Sequence, residues 1–183
     1  MGEWIDGKAT LVERAQAGRL DAVDALYREH VDRIYAYLAA SVGNQHDAED
    51  LTIQTFVRMI ESLDRFELRT APFSAWLYRI ARNLAIDHFR SSARARERTG
   101  RADARHGVHA SAEEQALSAL EQKGIRELVA SLPLPQREVL TLKFVCGLSN
   151  AETAIVLEKS EGAVKALQHR ALVALQRRSA VAA

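Results

Sequence analysis

The sequence predicts an all-α fold with two small helical domains. No stretch alternates apolar and polar residues for long, as half-buried strands do, and the 183 residues include only three prolines and nine glycines. Apolar residues recur at helical spacing before and after a segment, about residues 91–110, in which this pattern disappears. We therefore predict one domain over residues 1–92 and another over 113–183, joined by a flexible linker over 93–112.

Charge is distributed unevenly along the chain although the net charge is only +1. Residues 64–110 contain ten basic and five acidic side chains, whereas residues 1–63 contain six basic and eleven acidic ones. A basic segment suits a polyanion, and an acidic segment suits a basic protein partner. The alternative is that both segments are ordinary solvated faces.

The first predicted elements lie between about residues 10 and 41, which form one or two helices with a break at "AGRLD". Gly43 is the expected C-cap, and Asp47 is the expected N-cap of a helix that runs to about Leu63. The apolar side chains of this helix that are available for burial are Leu51, Phe56, Val57 and Ile60.

The next predicted helix begins near Pro72 in "APFSAWLYRIARNLAIDHFRSSARAR". Its buried stripe is expected to consist of Phe73, Trp76, Leu77, Ile80, Leu84 and His88. We interpret Phe73 and Trp76 as core residues, the alternative being that they stack on a ligand. Tyr78 and Phe89 lie off the stripe and are better candidates for such contacts. The other faces carry Arg79, Arg82, Asn83, Ile86 and Arg90.

The C-terminal segment predicts a helix-turn-helix. Capping boxes of the S-x-x-E type begin at Ser111 and Ser149, and Ser160 can cap a further helix. Between Ser111 and Ser149, a short apolar helix is expected from Gln136 to about Cys146. Its apolar side chains are Val139, Leu140, Leu142 and Phe144. The inner stripe of the last helix consists of Val164, Leu167, Ala171 and Leu175.

Two short helices joined by a three- or four-residue turn are typical of DNA-binding proteins, in which the second helix enters the major groove. Lys165 and His169 are four residues apart and share a face. The outward side chains of this helix, with its cap and one flanking arginine, are Ser160, Glu161, Lys165, Ala166, His169 and Arg170. The alternative is a plain helical hairpin with a solvated outer face.

The sequence disfavours a reactive thiol, membrane insertion, secretion and catalysis. The single cysteine, Cys146, lies in an apolar run, so we interpret it as a small buried apolar residue. No apolar run approaches membrane-spanning length. "MGEWIDGKAT" has no signal-peptide pattern, so we expect a cytoplasmic protein without membrane insertion. There is no phosphate-binding glycine loop, metal-ligand spacing or nucleophile elbow, and we predict no catalytic residue, metal or cofactor.

Three motifs in order resemble the extracytoplasmic-function (ECF) sigma factors of bacterial RNA polymerase: "DAEDLTIQTFVRM", "FSAWLYRIARNLAIDHFR" and "LPLPQREVLTLKFVCGLSNAETAIVLEKSEGAVKALQHRAL". The resemblance implies that the first domain is sigma region 2, which binds the β′ clamp helices and opens the minus-ten element. The second domain would be sigma region 4, which binds the β flap and recognises the minus-thirty-five element. It further implies promoter DNA as a partner and control by an anti-sigma factor.

The resemblance also implies a role for individual residues. Contacts with core polymerase would come from Asp47, Glu49, Asp50, Gln54 and Arg58. Contacts with the minus-ten element would come from Phe66, Arg69, Tyr78, Arg79, Arg82, Asn83 and Arg90, with a flipped base in the loop of residues 66–71. Single-stranded DNA requires cations for phosphates and flat side chains or pockets for unstacked bases, which suits these residue types.

The recognition helix departs from the family. The family often has Ser-Arg-Leu after the lysine, whereas this chain has Ala166, Leu167 and Gln168. Alanine cannot hydrogen-bond a base edge but can touch a thymine methyl group.

A rival function is a one-component helix-turn-helix repressor or activator whose N-terminal domain senses a ligand. Binding to core RNA polymerase would distinguish the two.

Overall fold

The computed structural model describes residues 6–68, 70–99, 128–129 and 131–182, and within these ranges all regular secondary structure is helical. The all-α prediction is confirmed. None of the helices in these ranges is long and apolar enough to cross a membrane. The helices are α1 (Asp6–Gln16), α2 (Leu20–Val42), α3 (Gln45–Ser62), a 3₁₀ turn (Leu63–Arg65), α4 (Phe73–Thr99), α5 (Leu134–Leu140), a π-helix (Thr141–Val145), α6 (Asn150–Leu157) and α7 (Glu161–Ala182).

Local signals set most of the helix ends in the N-terminal half. The expected break falls between α1 and α2, and Gly43 ends α2 in the left-handed conformation with φ 72°. The predicted N-cap of α3 is wrong, because Asn44 takes that position and its side chain accepts a hydrogen bond from the backbone N–H of His46. Asp47 lies in the first turn of α3, where its carboxylate accepts from Asn44 Nδ2 at 3.1 Å.

Helix α3 is buried on one side only. Leu51 and Phe56 are buried as expected, but Val57 and Ile60 are exposed, so their predicted burial is wrong. The physical reason is that α2 and α4 both pack against the same side of α3. The stripe containing Val57 and Ile60 faces away from them.

Helix α4 is covered on two sides. Phe73 is buried and packs against Phe66 and Trp76, with ring centroids 5.7 and 5.6 Å apart, which agrees with its interpretation as a core residue. Tyr78, predicted to lie off the buried stripe, is only 3% exposed because the C-terminal half of the chain covers this side of α4. The helix also continues to Thr99, beyond the expected start of the linker, through alanines and arginines that favour helix.

The C-terminal half contains the predicted helix-turn-helix in α6 and α7. The capping box of Ser149 and Glu152 is present, and Ser160 Oγ accepts from the backbone N–H of Ala163 at 3.2 Å. Of the apolar side chains named for the short helix before it, Val139, Leu140 and Leu142 are buried, whereas Phe144 lies in the π-helix and is exposed. The capping box predicted at Ser111 and the helix after it lie outside the described residues.

The two halves share one hydrophobic core. Cys146 and Leu142 of the C-terminal half belong to the same buried cluster as Tyr37 of α2 and Leu77 of α4. Helix α6 packs against α4, and the π-helix packs against α2. The chain therefore holds its two predicted DNA-binding elements in one assembly.

Candidate nucleic-acid and protein interfaces

The acidic start of α3 presents an exposed polar surface. Glu49, Asp50, Gln54 and Arg58 are all exposed, and they lie on successive turns of one helix. Asp47 differs from them, since it is half-buried and its Oδ2 lies 3.3 Å from Nε2 of His88 in α4. Four of the five predicted polymerase contacts are thus accessible, whereas Asp47 joins α3 to α4.

An apolar stripe that the sequence reasoning missed lies beside these polar side chains. Ile53, Val57 and Ile60 are 64%, 48% and 57% exposed. Their spacing of four and three residues places them on one face of α3. The signal that could have identified them is this spacing itself, because it defines a second apolar stripe on a helix whose core face is already supplied by Leu51, Phe56 and Met59.

The residues predicted to contact the minus-ten element differ in their exposure to solvent. Asn83 and Arg90 are exposed and Arg79 is half-buried, whereas Phe66 and Tyr78 are buried and Arg69 lies outside the described residues. Phe66 is a structural part of its loop, since its ring packs 4.7 Å from that of Trp76. Gln16 of α1 also holds this loop by donating to the backbone carbonyls of Leu63 and Phe66, each at 2.8 Å.

Arg82 is engaged by the other half of the chain. Its Nε donates to Oε1 of Glu138 at 2.8 Å, and its Nη2 lies 3.5 Å from Oε2. The side chains of Arg82 and Glu138 are only 19% and 13% exposed. In this conformation the guanidinium is therefore bound by a carboxylate instead of being free for phosphate.

Tyr78, Tyr37 and Cys146 form a buried cluster between the two halves. The rings of Tyr37 and Tyr78 meet edge to face with centroids 5.6 Å apart. Burial raises the pKa of Tyr78, and the neighbouring Cys146 thiol raises it further. Burial also raises the pKa of Cys146, to about 11.

The outer face of α7 is open to solvent. Ser160, Glu161, Lys165, Ala166, His169 and Arg170 are all exposed. Val164 and Ala171 of the same helix are fully buried and hold it against the rest of the C-terminal half. The predicted recognition surface is thus presented outward, with its inner stripe buried.

Metal-ligating side chains and an internal cavity are the features of the described residues that bear on cofactor binding. Among these residues, no group of three or more His, Cys, Asp or Glu side chains is arranged to hold a metal ion. A cavity of about 30 Å³ lies between the halves and is lined by Tyr37, Arg82, Phe89, Leu134 and Glu138 among others. This volume is about that of one water molecule.

Comparison with known sequences gives matches over both halves. The Sigma-70 region 2 family matches residues 26–95, and the Sigma-70, region 4 family matches residues 122–175. The sequence is 44% identical over 168 residues to the ECF RNA polymerase sigma factor BldN of Streptomyces coelicolor, covering 91% of this chain and 64% of BldN. It is 33% identical over 180 residues to the ECF RNA polymerase sigma factor SigD of Mycobacterium tuberculosis, covering 96% of this chain and 84% of SigD.

Two solved structures have a similar fold. CnrH, solved in complex with the cytosolic domain of CnrY, superposes with a TM-score of 0.74 at 25% identity, covering 95% of this chain and 97% of CnrH. RpoE of Bartonella quintana, solved in complex with the anti-sigma factor NepR, superposes with a TM-score of 0.73 at 21% identity, covering 84% of this chain and 94% of RpoE. The second likeness concerns the fold alone.

Proposed function

This chain belongs to the ECF RNA polymerase sigma factors, and on that premise we propose that it directs core RNA polymerase to specific promoters and initiates transcription there. The proposal assigns no catalytic role to the chain. It places the protein in the cell interior with RNA polymerase. Region 2 is proposed over residues 1–92, the linker over 93–112 and region 4 over 113–183.

The observation that carries the proposal is the mixed surface of α3. Ile53, Val57 and Ile60 expose an apolar stripe, and carboxylates and Arg58 border it. An apolar centre with a polar rim is the composition of a protein–protein interface. We propose that this surface binds the β′ clamp helices through Asp47, Glu49, Asp50, Gln54 and Arg58, together with the stripe. In this assignment Asp47 acts by fixing the start of α3 against His88.

The minus-ten element is proposed to bind along α4 and the loop of residues 66–71. Arg79, Arg82 and Arg90 would contact phosphates, and Asn83 lies exposed among them. Arg69 is proposed for the same element. Phe66 and Tyr78 are buried, which supports a positioning role for these two side chains in place of direct stacking on bases.

The minus-thirty-five element is proposed to bind the exposed face of α7. Lys165 is the side chain suited to a guanine edge, and Ala166 suits a thymine methyl group. Ser160, Glu161, His169 and Arg170 border them on the same outer face. The β flap is proposed as the second polymerase contact, through region 4.

Control by an anti-sigma factor is part of the proposal. CnrH, which has the same fold, was solved with the cytosolic domain of CnrY bound.

Run-off transcription with reconstituted holoenzyme tests this function. We expect core polymerase with this protein to produce transcripts from defined start sites, and core polymerase alone to produce none. A repressor or activator would instead bind a duplex operator tightly without polymerase. Tight binding to free duplex together with no transcript would refute the sigma-factor proposal.

A further inference from the structure

We propose that the free protein closes on itself through an ion pair in which Glu138 of the C-terminal half takes the place of a DNA phosphate on Arg82. This inference rests on the proposed function, because Arg82 is one of the arginines assigned to the minus-ten element. It adds a self-inhibited state that precedes binding to polymerase and promoter.

The geometry of the pair resembles phosphate recognition. Both carboxylate oxygens of Glu138 face the Arg82 guanidinium, at 2.8 Å from Nε and 3.5 Å from Nη2. A guanidinium binds two oxygens of a phosphate through the same pair of parallel N–H groups. The carboxylate and a phosphate therefore compete for one site on Arg82.

Further contacts join the same two halves elsewhere along α4. Ser74 Oγ lies 3.2 Å from Oε1 of Glu152 near the start of α4, and Tyr78 packs against Cys146 in the buried core. The cavity of about 30 Å³ borders Arg82 and Glu138, so apolar packing is incomplete at this point of the interface. The ion pair therefore adds a polar contact to a junction that is otherwise formed by apolar side chains.

The partial burial of the pair makes it sensitive to the loss of either charge. When one partner of a buried ion pair is removed, the other remains as an uncompensated charge away from water. Neutralising Glu138 should therefore favour separation of the two halves, in which Arg82 regains solvent. Separation would also expose Cys146, which is buried against Tyr78 while the halves are joined.

The reactivity of Cys146 measures this opening directly, since it is the only cysteine of the 183-residue chain. The full-length protein is mixed with dithiobis(nitrobenzoate) under native conditions, and the release of nitrothiobenzoate is followed. We expect Glu138→Gln to react about tenfold faster than the unmodified protein, the factor that corresponds to one charge-assisted hydrogen bond. Glu158→Gln removes the same charge from an exposed position of the same half and should leave the rate unchanged.

A charge exchange separates the ion pair from general loss of stability. Arg82→Glu and Glu138→Arg should each accelerate the reaction of Cys146, and the protein with both substitutions should return most of the way to the slow rate. Circular dichroism confirms that each variant is folded. Unchanged Cys146 reactivity in folded Glu138→Gln, or equal rates for the single and double exchanges, would overturn the proposal.

Run-off transcription distinguishes a failure of self-closure from a failure of the proposed function. With core polymerase, Glu138→Gln should reach half-maximal run-off transcription at a several-fold lower concentration than the unmodified protein. If Cys146 reacts faster in Glu138→Gln but no form of the protein supports transcription, self-closure stands and the sigma-factor function fails. If the unmodified protein transcribes and Cys146 reactivity is unaffected by Glu138→Gln, self-closure alone fails.

Discussion

The hydroxyl of Ser74 in α4 and the carboxylate of Glu152 in α6 are joined by a hydrogen bond of 3.2 Å. The second carboxylate oxygen of Glu152 accepts from the backbone N–H of Ser149 at 2.8 Å and completes the capping box of α6. One side chain therefore caps the first helix of the helix-turn-helix and ties it to the helix assigned to the minus-ten element. The stability of the recognition unit and the contact between the halves depend on the same carboxylate.

Glu152→Ala is expected to lower the free energy of unfolding by about 1–2 kcal/mol, because it removes a helix cap and a contact between the halves. Ser74→Ala removes only the contact and should lower it by less than about 1 kcal/mol. Urea denaturation followed by circular dichroism measures both. Glu152→Gln keeps an acceptor oxygen for Ser149 and serves as the matched control. Equal effects of Glu152→Ala and Ser74→Ala would show that the cap contributes nothing.

Val57→Asp is expected to weaken binding to core RNA polymerase by tenfold or more without unfolding the protein. Burial of one valine side chain at an interface is worth roughly 1.5 kcal/mol or more, and a buried unpaired carboxylate adds a further penalty. Fluorescence anisotropy of the labelled protein titrated with core polymerase measures the affinity. Leu20→Asp makes a similar change at a position of α2 that is 82% exposed and should leave the affinity unchanged. Equal affinities for both variants would argue against the apolar stripe as the polymerase contact.

Lys165→Ala is expected to weaken holoenzyme binding to the minus-thirty-five element by about 1–3 kcal/mol if the lysine contacts a base edge. In that case the loss should depend on the promoter sequence. A uniform loss with a shallower salt dependence would instead assign Lys165 to a phosphate. Filter binding at several salt concentrations separates these results. Arg177→Ala, an exposed position about three turns further along α7, is the control and should change affinity little.

Alkaline pH is expected to destabilise the closed protein through Cys146. Burial raises the pKa of this thiol from 9.0 to about 11, so between pH 9 and 11 the unfolded chain loses a proton that the folded chain retains. The free energy of unfolding must then fall as pH rises, by at most about 3 kcal/mol from this group. Urea denaturation at pH 8, 9, 10 and 11 measures the slope.

Cys146→Ala is the control for this pH dependence and should flatten the slope between pH 9 and 10. The pKa of Tyr78 is raised as well, chiefly by burial, so a slope above pH 10 should persist in Cys146→Ala and diminish in Tyr78→Phe. An identical pH profile for Cys146→Ala and the unmodified protein would show that the thiol is not buried in solution.

Local patterns predicted the elements of the candidate sites well. The capping box at Ser149, the glycine C-cap at Gly43 and the exposed face around Lys165 follow from residues within a few positions of each other. The predicted burial was wrong at two residues, in opposite directions: Val57 was expected to be buried and Tyr78 to be exposed. Val57 is exposed because both neighbours of α3 lie on its other side, and Tyr78 is buried because α4 is covered on a second side.

The all-α class, the helix-turn-helix and the sigma-factor family follow from the sequence, since periodicity, caps and motifs are encoded over short stretches. Which helix faces are covered, and which charges pair between the two halves, follows only from tertiary packing. Arg82 and Glu138 are 56 positions apart, and neither has a local pattern that selects the other as its partner. Packing of the two halves brings them together, because burial of a shared apolar core sets where each polar side chain comes to lie.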